Sequence, residues 1–163
     1  MAARRRASRV TLLQRVVSGG QTGVDRAALD AAIALGVAHG GWCPRGRRAE
    51  DGIIPERYHL REHASEDYAA RTEQNVIDSD ATLILGRGPL TGGTALTREL
   101  AVRHRKPHLV VDLGDSPDPA AVREWIRTHR IGTLDVAGPR ESLQPGIQRE
   151  AERFLRAVLD PRG

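Results

Sequence analysis

After about the first fifteen residues, short apolar runs alternate with stretches of helical periodicity along the whole chain. Five runs read as strands: roughly 15–18, 36–42, 81–85, 108–112 and 133–136. Between them, "DRAALDAAIALG" sets Ala28, Ala31, Ala32 and Leu35 at helical spacing and stops on Gly36. "SEDYAARTEQNVIDSD" opens on a cap region of Ser65, Glu66 and Asp67, and "TALTRELAVRHRKP" ends at Lys106-Pro107. "PDPAAVREWIRTHR" opens with prolines, and "QPGIQREAERFLRAVL" turns Ile147, Phe154, Leu155 and Val158 inward.

This alternation predicts an α/β fold, with a mostly parallel sheet of about five strands and helices on both faces. Ligands of such sheets bind outside the carboxyl ends of the strands. Three strand ends are unusual. Gly19-Gly20-Gln21-Thr22-Gly23 follows the first strand and leads into Asp25-Arg26; "GRGPLTGGT", ending in Thr91-Gly92-Gly93-Thr94, follows the third; "AGPRES", with Arg140-Glu141-Ser142, follows the fifth. A glycine turn before a helix either lets the backbone reverse or leaves amides bare for an anion, and phosphate is the commonest such anion. The first loop fits neither the dinucleotide fingerprint nor a Walker A loop.

Magnitudes favour a composite site. One helix terminus gives an anion about 0.3–2 kcal/mol and an Arg hydrogen bond about 1.5–3, whereas micromolar binding needs about 8. Two loops with Arg26 or Arg140 supply what one cannot. Gly20→Val or Gly93→Val should then cost binding without unfolding the domain.

The segment from Cys43 to Ser65 is too long for a plain connector and leaves from the same sheet edge, which suits a lid. Its Glu50, Asp51, His59, Glu62 and His63 match no standard metal spacing, so they read as solvated charges and no metal site is assigned. Cys43 reads as a small buried hydrophobe. Tyr68, Arg71, Thr72 and Asn75 share one helical face, either solvated or turned to a ligand.

Length and composition fit one domain, 15–160, behind a disordered basic leader, 1–14. Only 3% of residues are aromatic, so the core must be Val, Ile, Leu and Ala, and stacking on single-stranded nucleic acid is disfavoured. The net charge of +4 is concentrated in Arg4, Arg5, Arg6, Arg9 and Arg15, with no acid among them; the body is close to neutral. No nucleic acid or membrane partner is expected. No run approaches the roughly 18 apolar residues of a bilayer span, the leader has no signal-peptide pattern, and Cys43 is the single cysteine. These features fit a cytoplasmic protein.

"SGGQTGVDRAALD", "RTEQNVIDSDATLIL", "TGGTALTRELA" and "VAGPRES…PGI" resemble the circularly permuted YpsA-like branch of the SLOG superfamily, whose members carry the name molybdenum carrier proteins. The resemblance implies a Rossmann-like three-layer α/β/α fold, a pocket for a phosphorylated or nucleotide-like ligand, and homodimers or homotetramers. The name implies binding of molybdenum cofactor (molybdopterin), a phosphorylated pterin, for delivery to molybdoenzyme apo-proteins. Lysine decarboxylase-like phosphoribohydrolases of the same superfamily carry GGxGTxxE. Gly92, Gly93 and Glu99 match it, while Ala95 and Leu96 replace its third glycine and its threonine.

The site expected from these readings comprises Gly19, Gly20, Gln21, Thr22, Gly23, Asp25, Arg26, Thr91, Gly92, Gly93, Thr94, Arg140, Glu141 and Ser142. Glu99 is the one catalytic candidate, with a surface pairing to Arg103 as its alternative. Three functions remain open: a carrier of a phosphorylated cofactor, an N-glycosidase acting on nucleoside 5′-monophosphates, and a sensor of a nucleotide-derived signal.

Overall fold

The computed structural model describes residues 13–162. Most of the basic leader lies outside the described residues. Its last two positions are held: the Gln14 amide donates to Gly132 O at 2.8 Å, and Leu13 packs against the core.

The chain runs β1 (Arg15–Val17), α1 (Val24–Ala34), β2 (Ala38–Gly40), β3 (Trp42–Cys43), β4 (Arg48–Ala49), β5 (Gly52–Ile53), β6 (Arg61–Glu62), α2 (Tyr68–Ile77), β7 (Ala81–Gly86), α3 (Gly92–Arg103), β8 (His108–Asp112), α4 (Pro119–Thr128), β9 (Thr133–Ala137) and α5 (Ile147–Leu159). Five strands form one parallel sheet in the order β2-β1-β9-β7-β8. The helices cover it as the third and first layers of a three-layer α/β fold. β1 feeds a neighbour on one side and β7 a neighbour on the other, so the connections diverge around β9, where a ligand crevice is expected.

Strand alternation decides what each face meets. Leu134 and Val136 of β9, with Ala81, Leu83 and Leu85 of β7, join the main core with Ala27, Ala28 and Ala31 of α1 and Phe154, Leu155 and Val158 of α5. Small residues on α1 allow it to lie close to α5, and each fully buried Leu or Val contributes about 1.5–3 kcal/mol. The intervening residues, Asp135 of β9 and Thr82 of β7, take the other face, where α2 and α3 pack on each other through Val76, Leu100 and Ala101. A strand buried on both faces has no obvious place for a carboxylate, yet Asp135 is 3% exposed.

The 43–65 segment is built rather than loose. Among its small strands, β3 pairs with β6, and β4 with β5 as a hairpin turning at Glu50-Asp51. Cys43, Ile54 and Tyr58 form a second apolar cluster with Leu29 of α1. The Arg47 guanidinium donates to four carbonyls, those of Ile54, Pro55, Tyr58 and Leu60, stitching the segment where regular structure is scarce. The Tyr58 hydroxyl donates to Asp30 Oδ1 at 2.7 Å; burial and that carboxylate push its pKa up to about 12.

Candidate functional site

A cavity of about 360 Å³ opens over the carboxyl ends of β1 and β9, between the sheet and the N-terminal ends of α2 and α3. That volume suits a small cofactor or nucleotide-sized ligand. Three charged groups from three elements meet at its floor: Asp25 of α1, Arg71 of α2 and Asp135 of β9. Asp25 is 4% exposed and the Arg71 side chain 11%. Asp25 Oδ2 accepts from the Gln21 amide at 3.3 Å and from Arg71 Nη1 at 3.5 Å; Asp135 Oδ2 accepts from the Thr82 hydroxyl at 3.2 Å.

One guanidinium cannot neutralise two buried carboxylates, and an uncompensated buried charge costs several kcal/mol. The structure resolves this through protonation. Burial pushes Asp25 up, opposed by Arg71 and the Gln21 amide. Asp135, with only a hydroxyl donor, is pushed up to about 7 by burial first and the Asp25 charge second. The floor therefore holds two adjacent buried carboxyls, both shifted toward the neutral form, beside one guanidinium. Arg71 Nε is buried without a hydrogen-bond partner, an orphan of the kind that marks functional sites.

The helical face foreseen on α2 lies against this cavity: Tyr68, Arg71, Thr72 and Asn75 all line it. Asn75 also holds the chain opposite, accepting from the Trp42 amide at 2.7 Å and donating to Trp42 O at 3.0 Å. Tyr68 and Leu143 stand at the mouth, 44% and 57% exposed. They offer apolar surface where a flat ring could enter.

The expected residues divide. Thr91, Gly93 and Thr94 line the cavity, which brings the positive end of α3 to its wall, and the Thr91 side chain makes no capping hydrogen bond there. Gly92 takes φ +52° in this turn. Gly19, Gln21, Asp25 and Arg140 also line it.

The first glycine loop departs from the expectation of bare amides. Thr22 N donates to Gln21 Oε1, Gly23 N to Gln148 Oε1 and Val24 N to Pro139 O, at 3.0, 3.0 and 3.2 Å. A Cβ on Gly23 would sit 2.3 Å from Pro139 O, so this glycine serves the close approach of two backbones. Gly20, at φ +79°, fits under Leu60 and Ile54. Arg26 is committed elsewhere: Nη2 pairs with Asp51 Oδ1 at 2.7 Å, Nη1 with Asp51 Oδ2, and Nε donates to Gly20 O. The Glu141 carboxylate accepts from the Gly146 and Gln148 amides at the start of α5. Thr22 and Ser142 face Glu50.

Glu99 is exposed and does not line the cavity, because Thr97, Leu100 and Ala101 are the residues α3 turns inward. The acid groups near the cavity are Asp25, Asp135 and Asp67, of which Asp67 caps α2 through the Ala69 amide. Asp135 is the residue sequence reasoning missed; its signal is one carboxylate in the apolar run "TLDVA". Among the described residues, no His, Cys, Asp and Glu are grouped as for a metal ion. Cys43 is buried, and burial raises its thiol pKa.

The model of the circularly permutated YpsA SLOG family matches residues 16–159. The chain belongs to this family. Its structure is similar to that of a protein named as a molybdenum carrier from Syntrophus aciditrophicus SB, with a TM-score of 0.86 and 44% identity over 91% of this chain and 96% of that one. No curated protein matches the chain. No helix among the described residues is long and apolar enough to cross a membrane. The cavity lies over β1 and β9, where the strand order makes the connections diverge.

Proposed function

We propose that this chain is a binding and carrier protein for a phosphorylated small molecule with a flat heterocyclic ring, of the molybdopterin class. The observation that carries the reading is the cavity's division of labour. The positive end of α3 and Arg140 offer a phosphate subsite, Tyr68 and Leu143 flank the ring's entry, and the Asp25–Arg71–Asp135 floor offers both donors and acceptors to a polar ring edge. A ring carrying amino and oxo groups side by side needs that mixture, because a neutral carboxyl donates where a carboxylate can only accept. The residues fit such a cofactor as cargo: the protein supplies phosphate and ring contacts, and molybdenum would arrive with its own ligands. The name of the Syntrophus protein agrees with this direction.

A second reading, hydrolysis of the N-glycosidic bond of a nucleoside 5′-monophosphate, draws on one observation. Asp25 and Asp135 stand together at the cavity floor with both carboxyl pKa values raised by burial, as candidates for an acid and base pair would.

Calorimetric titration tests the proposal, using a phosphorylated pterin and 5′-AMP, each against its dephosphorylated form. The phosphate should tighten binding by at least about tenfold, the effect of one helix terminus and one arginine together. Equal affinity with and without phosphate overturns the reading. Release of free adenine from 5′-AMP would favour the hydrolase.

A further inference from the structure

The Glu50 carboxylate is held by three hydrogen-bond donors and one ion pair from two loops on the sheet's carboxyl edge. Thr22 Oγ1 and the Ser142 amide donate to Oε1, the latter at 3.1 Å; Ser142 Oγ and Arg140 Nε approach Oε2, the arginine at 3.2 Å. The Glu50 amide donates to Gln21 Oε1 at 2.9 Å. Two hydroxyls, a backbone N–H and a guanidinium around one anion is the donor set that a phosphoryl group draws. Two members of this arrangement, Gln21 and Arg140, also line the cavity, so the cradle adjoins it.

We propose that this cradle completes the phosphate subsite on its Arg140 side, and that Glu50 occupies it as an internal stand-in until the ligand's phosphoryl group displaces it. The inference rests on the phosphorylated-ligand reading above and adds how its site is kept closed.

The hairpin is suited to such an exchange. Its turn carries two acids with separate partners: Asp51 is fixed to Arg26, whose side chain is only 8% exposed, while Glu50 sits at the half-open rim. Releasing Glu50 leaves the Asp51 anchor and the Tyr58–Ile54–Cys43 cluster in place, so the side chain can leave without the segment unfolding. Burial acts to raise the Glu50 pKa, but the hydrogen bonds from Ser142 and Thr22 and the charge of Arg140 outweigh it and hold the carboxyl low. Glu50 is therefore an anion here. It keeps Arg140 neutralised at the rim, and a ligand must bring a stronger or better-placed oxyanion to replace it. An internal competitor lowers apparent affinity by the fraction of molecules in which the site is free.

The test is titration of wild type, Glu50→Ala and Glu50→Gln with inorganic phosphate and with 5′-AMP, reading calorimetric affinity and the ligand-induced rise in Tm. Glu50→Ala should bind inorganic phosphate at least about tenfold more tightly than wild type, as expected if the cradle is free in about a tenth of wild-type molecules or fewer. Glu50→Gln keeps the side chain's size without its charge and should fall between them. Adding Ser142→Ala to Glu50→Ala should remove most of the gain.

If phosphate binds all three forms equally, or Glu50→Ala more weakly, the cradle is only a staple for the hairpin and the inference fails. Unchanged 5′-AMP binding across the three forms would likewise overturn it while leaving the ligand reading intact. Phosphate gained by Glu50→Ala, with 5′-AMP and a phosphorylated pterin bound by no form, would sustain the subsite and overturn the ligand reading instead. A lower resting Tm in Glu50→Ala does not confuse these outcomes, because a ligand-induced rise is measured against each variant's own baseline.

Discussion

Arg71 Nη1 stands 3.5 Å from Asp25 Oδ2 and directly over the backbone of Gly19. A Cβ on Gly19 would lie 1.6 Å from that nitrogen, so the glycine is the space in which the guanidinium reaches the carboxylate. Gly19→Ala should push Arg71 off Asp25, lowering stability by about 1–3 kcal/mol and ligand affinity at least about tenfold. Urea denaturation and titration with 5′-AMP measure the two effects. Unchanged values in both would mean that the contact does not matter.

The two glycine turns should respond differently to the same substitution. Nothing lies within 4 Å of a Cβ built on Gly93, whereas one on Gly20 meets Leu60 at 2.5 Å with the backbone at φ +79°. Gly93→Val should keep most of its stability and lose binding. Gly20→Val should lose about 2–4 kcal/mol of stability, from overpacking and a disfavoured backbone region. The sequence alone treats these positions alike; thermal melts of both variants separate them.

Asp135 makes stability depend on pH. Its folded pKa is about 7, against about 3.9 in an unfolded chain, so folding favours the neutral carboxyl. That contribution is complete below about pH 4 and is lost as pH rises through about 7. Asp135→Asn keeps a neutral side chain throughout. It should therefore gain about 2–3 kcal/mol relative to wild type between pH 5 and pH 8, measured by denaturant unfolding at both values. A gap that does not change with pH would show that Asp135 is ionised at both.

Glu99→Gln should change neither ligand affinity nor any adenine release from 5′-AMP, since Glu99 is exposed and stands outside the cavity. If turnover exists, Asp25→Asn or Asp135→Asn should abolish it. A loss of turnover in Glu99→Gln with both aspartates intact would move the chemistry to a site on the outer face of α3.

Much of this architecture was legible because periodicity reports burial. The five sheet strands and five helices all fall on the runs read from the sequence, and the inward residues of α5 are buried as its spacing required. Thr91, Gly93 and Thr94 of the second glycine turn line the cavity. Less legible was which partner a polar group would find. The amides at Thr22 to Val24 bond to Gln21, Gln148 and Pro139, the last two more than a hundred positions away, and no local pattern encodes that. The role of Asp135 depends on β9 being inserted between β1 and β7, although β9 comes last among the sheet's strands. Arg47 was invisible for a related reason: a guanidinium that gathers four carbonyls looks, in sequence, like any arginine in a loop.

The most direct measurement is the identity of what the protein carries. The chain would be expressed in a host that makes molybdenum cofactor, purified without air and denatured, and the released small molecules read by mass spectrometry and pterin fluorescence. A phosphorylated pterin near one per chain in wild type, and depleted in Gly93→Val, is the predicted result. A wild-type protein that releases no phosphorylated compound, or releases it undiminished from Gly93→Val, would contradict the account.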